Sequence, residues 1–138
     1  MELKSVYQLN KQAKILEEKV SGLKDARSNL VPTLNGLPKS HSAGSKVEDL
    51  TIKILALEEE LTTLREQIVT SSVELAAAIT ERVSSAASRI LIARYVGCSS
   101  WRKIIAEAHY SPQHVFRLHA QGVKQFKETI KNVHGKNF

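Results

Sequence analysis

One cysteine, three prolines and six glycines are all that 138 residues hold of the residue types that staple, break or sharply turn a chain. With Cys98 alone, an intrachain disulfide framework is excluded, and a reducing compartment fits. So little proline and glycine, beside abundant Leu, Ala, Glu, Lys and Ser, argues against many short strands joined by tight turns and predicts long helices. No apolar run reaches membrane-spanning length, and the opening MELKSVYQLN has no continuous apolar core of the secretory kind. The expectation is an all-α protein, soluble and cytoplasmic, with no membrane partner. Its length suits one compact domain, or a small domain plus an extended element, better than two independent cores.

Charge is present but unevenly placed. The formal net charge is +6, yet residues 47–83 carry three basic and eight acidic side chains while residues 84–138 carry nine basic and two acidic. An acidic arm and a basic head follow, and a basic head is the electrostatic footprint expected of phosphate binding, although a basic surface can also serve solubility alone.

The arm is legible as two heptad series. In the first, Leu9, Leu16, Leu23 and Leu30 occupy one seam position, and Val6, Ala13, Val20 and Arg27 stand three residues before each. This predicts a helix over residues 3–30 that pairs with another helix. Residues 31–46, VPTLNGLPKSHSAGSK, hold Pro32, Gly36, Pro38 and Gly44 among small polar residues and are read as a flexible loop. A second series follows, with Val47, Ile54, Leu61, Ile68 and Leu75 at a, and Leu50, Leu57, Leu64, Ser71 and Ala78 at d. A helix over residues 47–82 would span about 54 Å and must pack on the first helix, on another copy, or on both. Leu50, Ile54, Leu57, Leu61, Leu64 and Ile68 are therefore the expected self-association residues, serving a homodimer or higher homo-oligomer. The arm is taken as residues 1–83.

From Ser84 onward the punctuation describes a module of three short helices. Gly97 can close the first in a left-handed conformation, and Ser99 or Ser100 can cap a second through Trp101, Ile104, Ile105 and Ala108. After His109-Tyr110, Ser111 is a good N-cap and Pro112 suits the first helical position. In the third helix Val115, Leu118, Val123, Phe126 and Ile130 form an inward stripe, and Gln113, Arg117, Gln121 and Lys124 an outward one. A helix-turn-helix needs this division, since its recognition helix packs on two others while showing polar side chains to the major groove. Gln bonds adenine edges and Arg guanine edges bidentately, while Lys124, Lys127 and Lys131 suit phosphates. An ordinary solvated helix face would carry the same residue types.

The run ILIARYVGCSSWRKIIAEAHYSPQHVFRLHAQGVKQF, residues 90–126, resembles the sigma-factor region 4 type of helix-turn-helix, in particular that of small phage transcriptional regulators of the ArpU and RinA type. The matching positions are Ala93-Arg94-Tyr95 in the support helix, Trp101 and Ile104 in the second helix, Tyr110-Ser111 at the turn, and His114-Val115 with Arg117-Leu118-His119 in the third. The resemblance implies a transcription regulator that binds duplex DNA, a bacterial host cell and nucleoid setting, and contact with bacterial RNA polymerase. DNA-binding residues are then expected at Ser111, Gln113, His114, Arg117, Gln121, Lys124 and Lys127, joined by Arg102 and Lys103, which stand where acidic residues are frequent in that family. Two positions depart from the pattern. Ile105 stands where a small alanine usually permits close helix crossing, and His109 where the turn usually has glycine, so the turn is expected to be altered or the module turned to another partner.

No catalytic or metal constellation emerges. His109, His114 and His119 are five apart and fall on different helix faces, unlike an i, i+4 metal pair. Cys98 lies in a turn with no orienting acid, and no glycine loop cradles phosphate, so neither an enzyme nor a cofactor is expected. Trp101 reads as a core anchor. Two further functions fit the same organisation: a phage inhibitor of a host factor that acts through the coiled coil, and a DNA-packaging protein of the small-terminase kind.

Overall fold

The computed structural model describes residues 1–36 and 41–135, with side chains over 1–31 and 44–128. Among these residues the chain is helical, without strands, as the composition predicts. Helix α1 spans Ser5–Gly36 and α2 spans His41–Arg82; α3 (Ser85–Leu91) runs directly into α4, a π-helical turn over Ile92–Val96. Helix α5 covers Trp101–Ala108 and α6 covers Pro112–Gly135. Helix α1 is thus longer than expected at its C-terminal end and α2 at its N-terminal end. Residues 31–36 and 41–46 of the expected loop are helical, and 37–40 lie outside the described residues. Pro32 does not stop the helix in spite of the carbonyl it leaves without an amide partner.

The chain divides into two compact units, residues 9–68 and residues 1–8 with 69–138. The first unit is an antiparallel pair of helices built on the two heptad series. Ala13, Leu61 and Leu64 form its buried centre, with Leu9, Leu16 and Ile68 packed against them. Its direction is marked by ion pairs: Lys24 meets Glu58 at 3.0 Å and Glu17 meets Arg65 at 2.8 Å, so advancing along α1 means retreating along α2. Both pairs are exposed and set register more than stability. Val20 and Ile54 are also buried. Of the expected self-association residues, Ile54, Leu61 and Leu64 are buried within one chain and Leu50, Leu57 and Ile68 are half-buried. The aliphatic seam is therefore covered by α1, whereas Ile52 and Leu55 stand outside it, 65% and 60% exposed.

The second unit begins earlier than Ser84. Leu75 and Ile79 are fully buried, Ala78 and Val83 nearly so, and Leu3 and Val6 from the other end of the chain are buried in the same unit. Charge changes sign near Ser84, but packing follows side-chain volume, and the change from large seam residues to Ser71, Ala76, Ala77 and Ala78 marks where α2 leaves the arm. The core of this head is completed by Ala87, Ile90, Leu91, Ile104, Val115, Leu118 and Phe126. Ile130 lies outside the described side chains.

Candidate nucleic-acid interface

Helices α3 with α4, α5 and α6 follow one another through short turns in the head, and each boundary has a local cause. Ser100 accepts the Lys103 amide at 3.2 Å and caps α5, while Ser111 accepts the His114 amide at 3.2 Å and caps α6 ahead of Pro112. Each cap satisfies one amide that the first helical turn leaves without a partner. Ser84 makes no side-chain cap; its amide donates instead to Gln125 Oε1 at 3.0 Å, which joins the start of α3 to α6.

The turn between α5 and α6 keeps its left-handed residue. His109 has φ 59° and ψ 24°, the conformation glycine usually supplies at this point. Histidine enters this region more readily than most side chains, so the turn forms here without glycine at a modest cost in strain. Ile105, at the other departing position, is half-buried, while Ile104 beside it is 4% exposed and carries the core contact.

The first turn differs from expectation. Gly97 has φ −77°, and it is Cys98 that is left-handed, at φ 53°. What glycine offers at 97 is space: a Cβ there would stand 3.0 Å from the Ala93 carbonyl oxygen, a tight contact with backbone. The cause is the π-helical α4, whose closing bond runs from the Gly97 amide to the Ile92 carbonyl at 2.9 Å and draws the backbone back over Ala93.

That wider turn places two side chains against the other helices. Arg94 donates to the Ser99 carbonyl at 3.0 Å and lies over the Trp101 ring, 4.7 Å from its centre. Tyr95 shares a 2.7 Å hydrogen bond with His119 Nε2 on α6. Trp101 meets His119 edge-on at 4.8 Å and Phe116 at 5.0 Å. Trp101 is accordingly the hub of an aromatic cluster at the base of α6. Burial holds the Tyr95 hydroxyl above its ordinary pKa, with Arg94 opposing. Burial, then the Arg94 charge, holds His119 below its own, so both groups are neutral near pH 7.

Helix α6 divides as its pattern predicts. Val115, Leu118 and Phe126 are buried and Val123 half-buried, while Gln113, Arg117, Gln121, Lys124 and Lys127 are exposed, as are Ser111, Arg102 and Lys103. Lys124 lies 4.0 Å from Glu128, a loose and solvated pair. His114 is half-buried, with its ring edge-on to Tyr110 at 4.6 Å, which makes it a packing residue of the turn.

Three features escaped the pattern. Gly122, buried on α6, faces α3 at short range: a Cβ there would lie 2.6 Å from Leu91 Cδ1 and 3.1 Å from Ala87 Cβ. A lone glycine in an otherwise helical run was the available signal. The Tyr95–His119 bond had none, because it joins residues 24 apart. Phe116 is 46% exposed beside Gln113 and Arg117, and its signal was an aromatic out of register with the inward stripe.

No family model, no curated protein and no solved structure matches this chain. Among the described residues no helix is long and apolar enough to cross a membrane. Nor do those residues bring together a metal-binding cluster of His, Cys, Asp or Glu.

Proposed function

We propose that this chain is a sequence-specific transcription regulator that binds duplex DNA through α6, in keeping with the resemblance of residues 90–126 to the ArpU and RinA type. One observation carries the reading: a helix that begins at a left-handed turn buries Val115, Leu118 and Phe126 while it leaves Gln113, Arg117, Gln121 and Lys124 in solvent. The polar row is thereby available to a groove while the helix stays anchored. The basic balance of residues 84–138 supports the same reading through attraction to phosphate. Self-association through the arm remains part of the proposal. Because the a/d seam is occupied within the chain, Ile52 and Leu55 offer it a free apolar surface. The bacterial setting and contact with RNA polymerase rest on the resemblance alone.

Selection of preferred sites from random duplex DNA, followed by affinity measurements on variants, tests the proposal. Arg117→Ala and Gln113→Ala each cost about 1–3 kcal/mol on the selected site and relax the choice of one base. Lys124→Ala weakens binding to all sequences alike and lowers the salt slope by about one. Unchanged affinity and selectivity in the Arg117 and Gln113 variants would show that α6 is not the reader, and a protein target bound by the coiled coil would then explain the molecule better.

A further inference from the structure

We propose that Phe116 reads the C5-methyl group of a thymine and is a specificity-determining residue of the interface; the inference rests on the DNA-binding reading above. Leaving a phenylalanine 46% exposed forgoes burial that the fold could otherwise use, and the inward stripe of α6 is complete without it. The ring is nevertheless held. It packs on Trp101 at 5.0 Å, and Trp101 is itself fixed by Arg94 at 4.7 Å and His119 at 4.8 Å. A ring already resting on a packed neighbour has less side-chain freedom left to lose, so binding through it costs less ordering entropy.

Its position decides the ligand chemistry. Residues 113, 116 and 120 share one edge of α6, at helical spacings of three and four, and Gln113, Phe116 and Ala120 are all exposed there. Gln113 supplies hydrogen bonds, and the small Ala120 leaves room for a strand to approach. A phenyl ring makes no hydrogen bond to a base edge. In the major groove the apolar feature that distinguishes one base pair from another is the thymine methyl. The thymine read by Phe116 is therefore placed within about one base step of the base read by Gln113, given the 1.5 Å rise per residue.

The test uses the full chain and the selected duplex, with each thymine replaced in turn by deoxyuridine, which removes only the methyl. At one thymine the replacement is expected to weaken binding about fourfold, the worth of one buried methyl group. That thymine should adjoin the base whose identity relaxes in Gln113→Ala. Phe116→Ala is expected to bind the thymine and deoxyuridine duplexes equally, and Phe116→Leu, which keeps an apolar tip, to retain part of the preference. Because the deoxyuridine series is measured on the unaltered protein, it does not depend on how the variants fold. Equal binding of all deoxyuridine duplexes, or an undiminished methyl preference in Phe116→Ala, overturns the inference and leaves the DNA-binding reading standing. Failure to select any duplex overturns both.

Discussion

Two glycines in helices separate the cost of a close helix crossing in the head from ordinary helix propensity. Gly22, in the arm, has nothing within 4 Å of the place a Cβ would occupy, so Gly22→Ala adds a methyl group in open space. The change should stabilise the arm by about 1 kcal/mol, the helix-interior difference between alanine and glycine. Gly122→Ala gains the same propensity term but drives its Cβ to 2.6 Å from Leu91 Cδ1 and 3.1 Å from Ala87 Cβ. Leu91 is fully buried, so its side chain moves only by displacing the core, and Ala87 can yield only with its backbone. Overpacking of this kind costs about 1–3 kcal/mol. Set against the propensity gain, the net effect is a loss of up to about 2 kcal/mol, which for a head of this size lowers its midpoint by several degrees, at about 4–8 °C per kcal/mol. Thermal and urea unfolding followed by the emission of Trp101 reports the head, and far-ultraviolet circular dichroism reports the arm as well. If Gly122→Ala stabilises the head as much as Gly22→Ala stabilises the arm, the close crossing of α3 and α6 is not real.

Two further outcomes follow from the turn and the aromatic cluster. His109→Gly should raise the stability of the head by a few tenths of a kcal/mol to about 1, since it removes left-handed strain but adds unfolded-state entropy, whereas His109→Val should lower it by about 1–2; the same melts decide, and equal stabilities would remove the strain argument. His119 is held below its ordinary value of 6.5, so the unfolded chain binds the proton more readily than the folded one. Its contribution is thus complete above about pH 6.5 and is lost as the pH falls toward the folded-state value; urea titrations between pH 5 and about 7.5 should show this decline, and it should vanish in His119→Gln.

The heptads made the arm legible because their signal is local and repetitive: one residue in each seam position reports the same contact seven residues on. The inward stripe of α6 was legible for the same reason, and so were the caps at Ser100 and Ser111, whose partners lie three residues away. Where the sequence misled, the deciding partner was distant or the backbone irregular. Gly97 carried the usual mark of a left-handed closure, but the π-helical turn before it transferred that conformation to Cys98. The boundary of the head could not be read from charge, since Leu3 and Val6 at one end of the chain and Leu75 and Ile79 on α2 are buried in the same compact unit. The usefulness of His109 likewise depended on its φ, a quantity that residue identity constrains but does not set.

The aromatic cluster and the glycine crossing act on one variable, the rotation of α6 about its own axis. Gly122 fixes how near α6 lies to α3, and the Tyr95–His119 bond fixes which way it faces, with the two contacts one turn apart on α6. Arg94 adds the third support, since its bond to Ser99 and its place over Trp101 tie the first turn to the ring on which His119 and Phe116 rest. A helix that reads bases must hold its side chains to within about 0.5 Å and 10–20° of the productive geometry. A rotation of one residue would turn the polar row by about 100°, and in one sense it would bring the buried Leu118 and Gly122 to the face held by Arg117 and Gln121. The π-helical turn and the two left-handed residues that are not glycine, Cys98 and His109, lie in the turns that lead into α5 and α6.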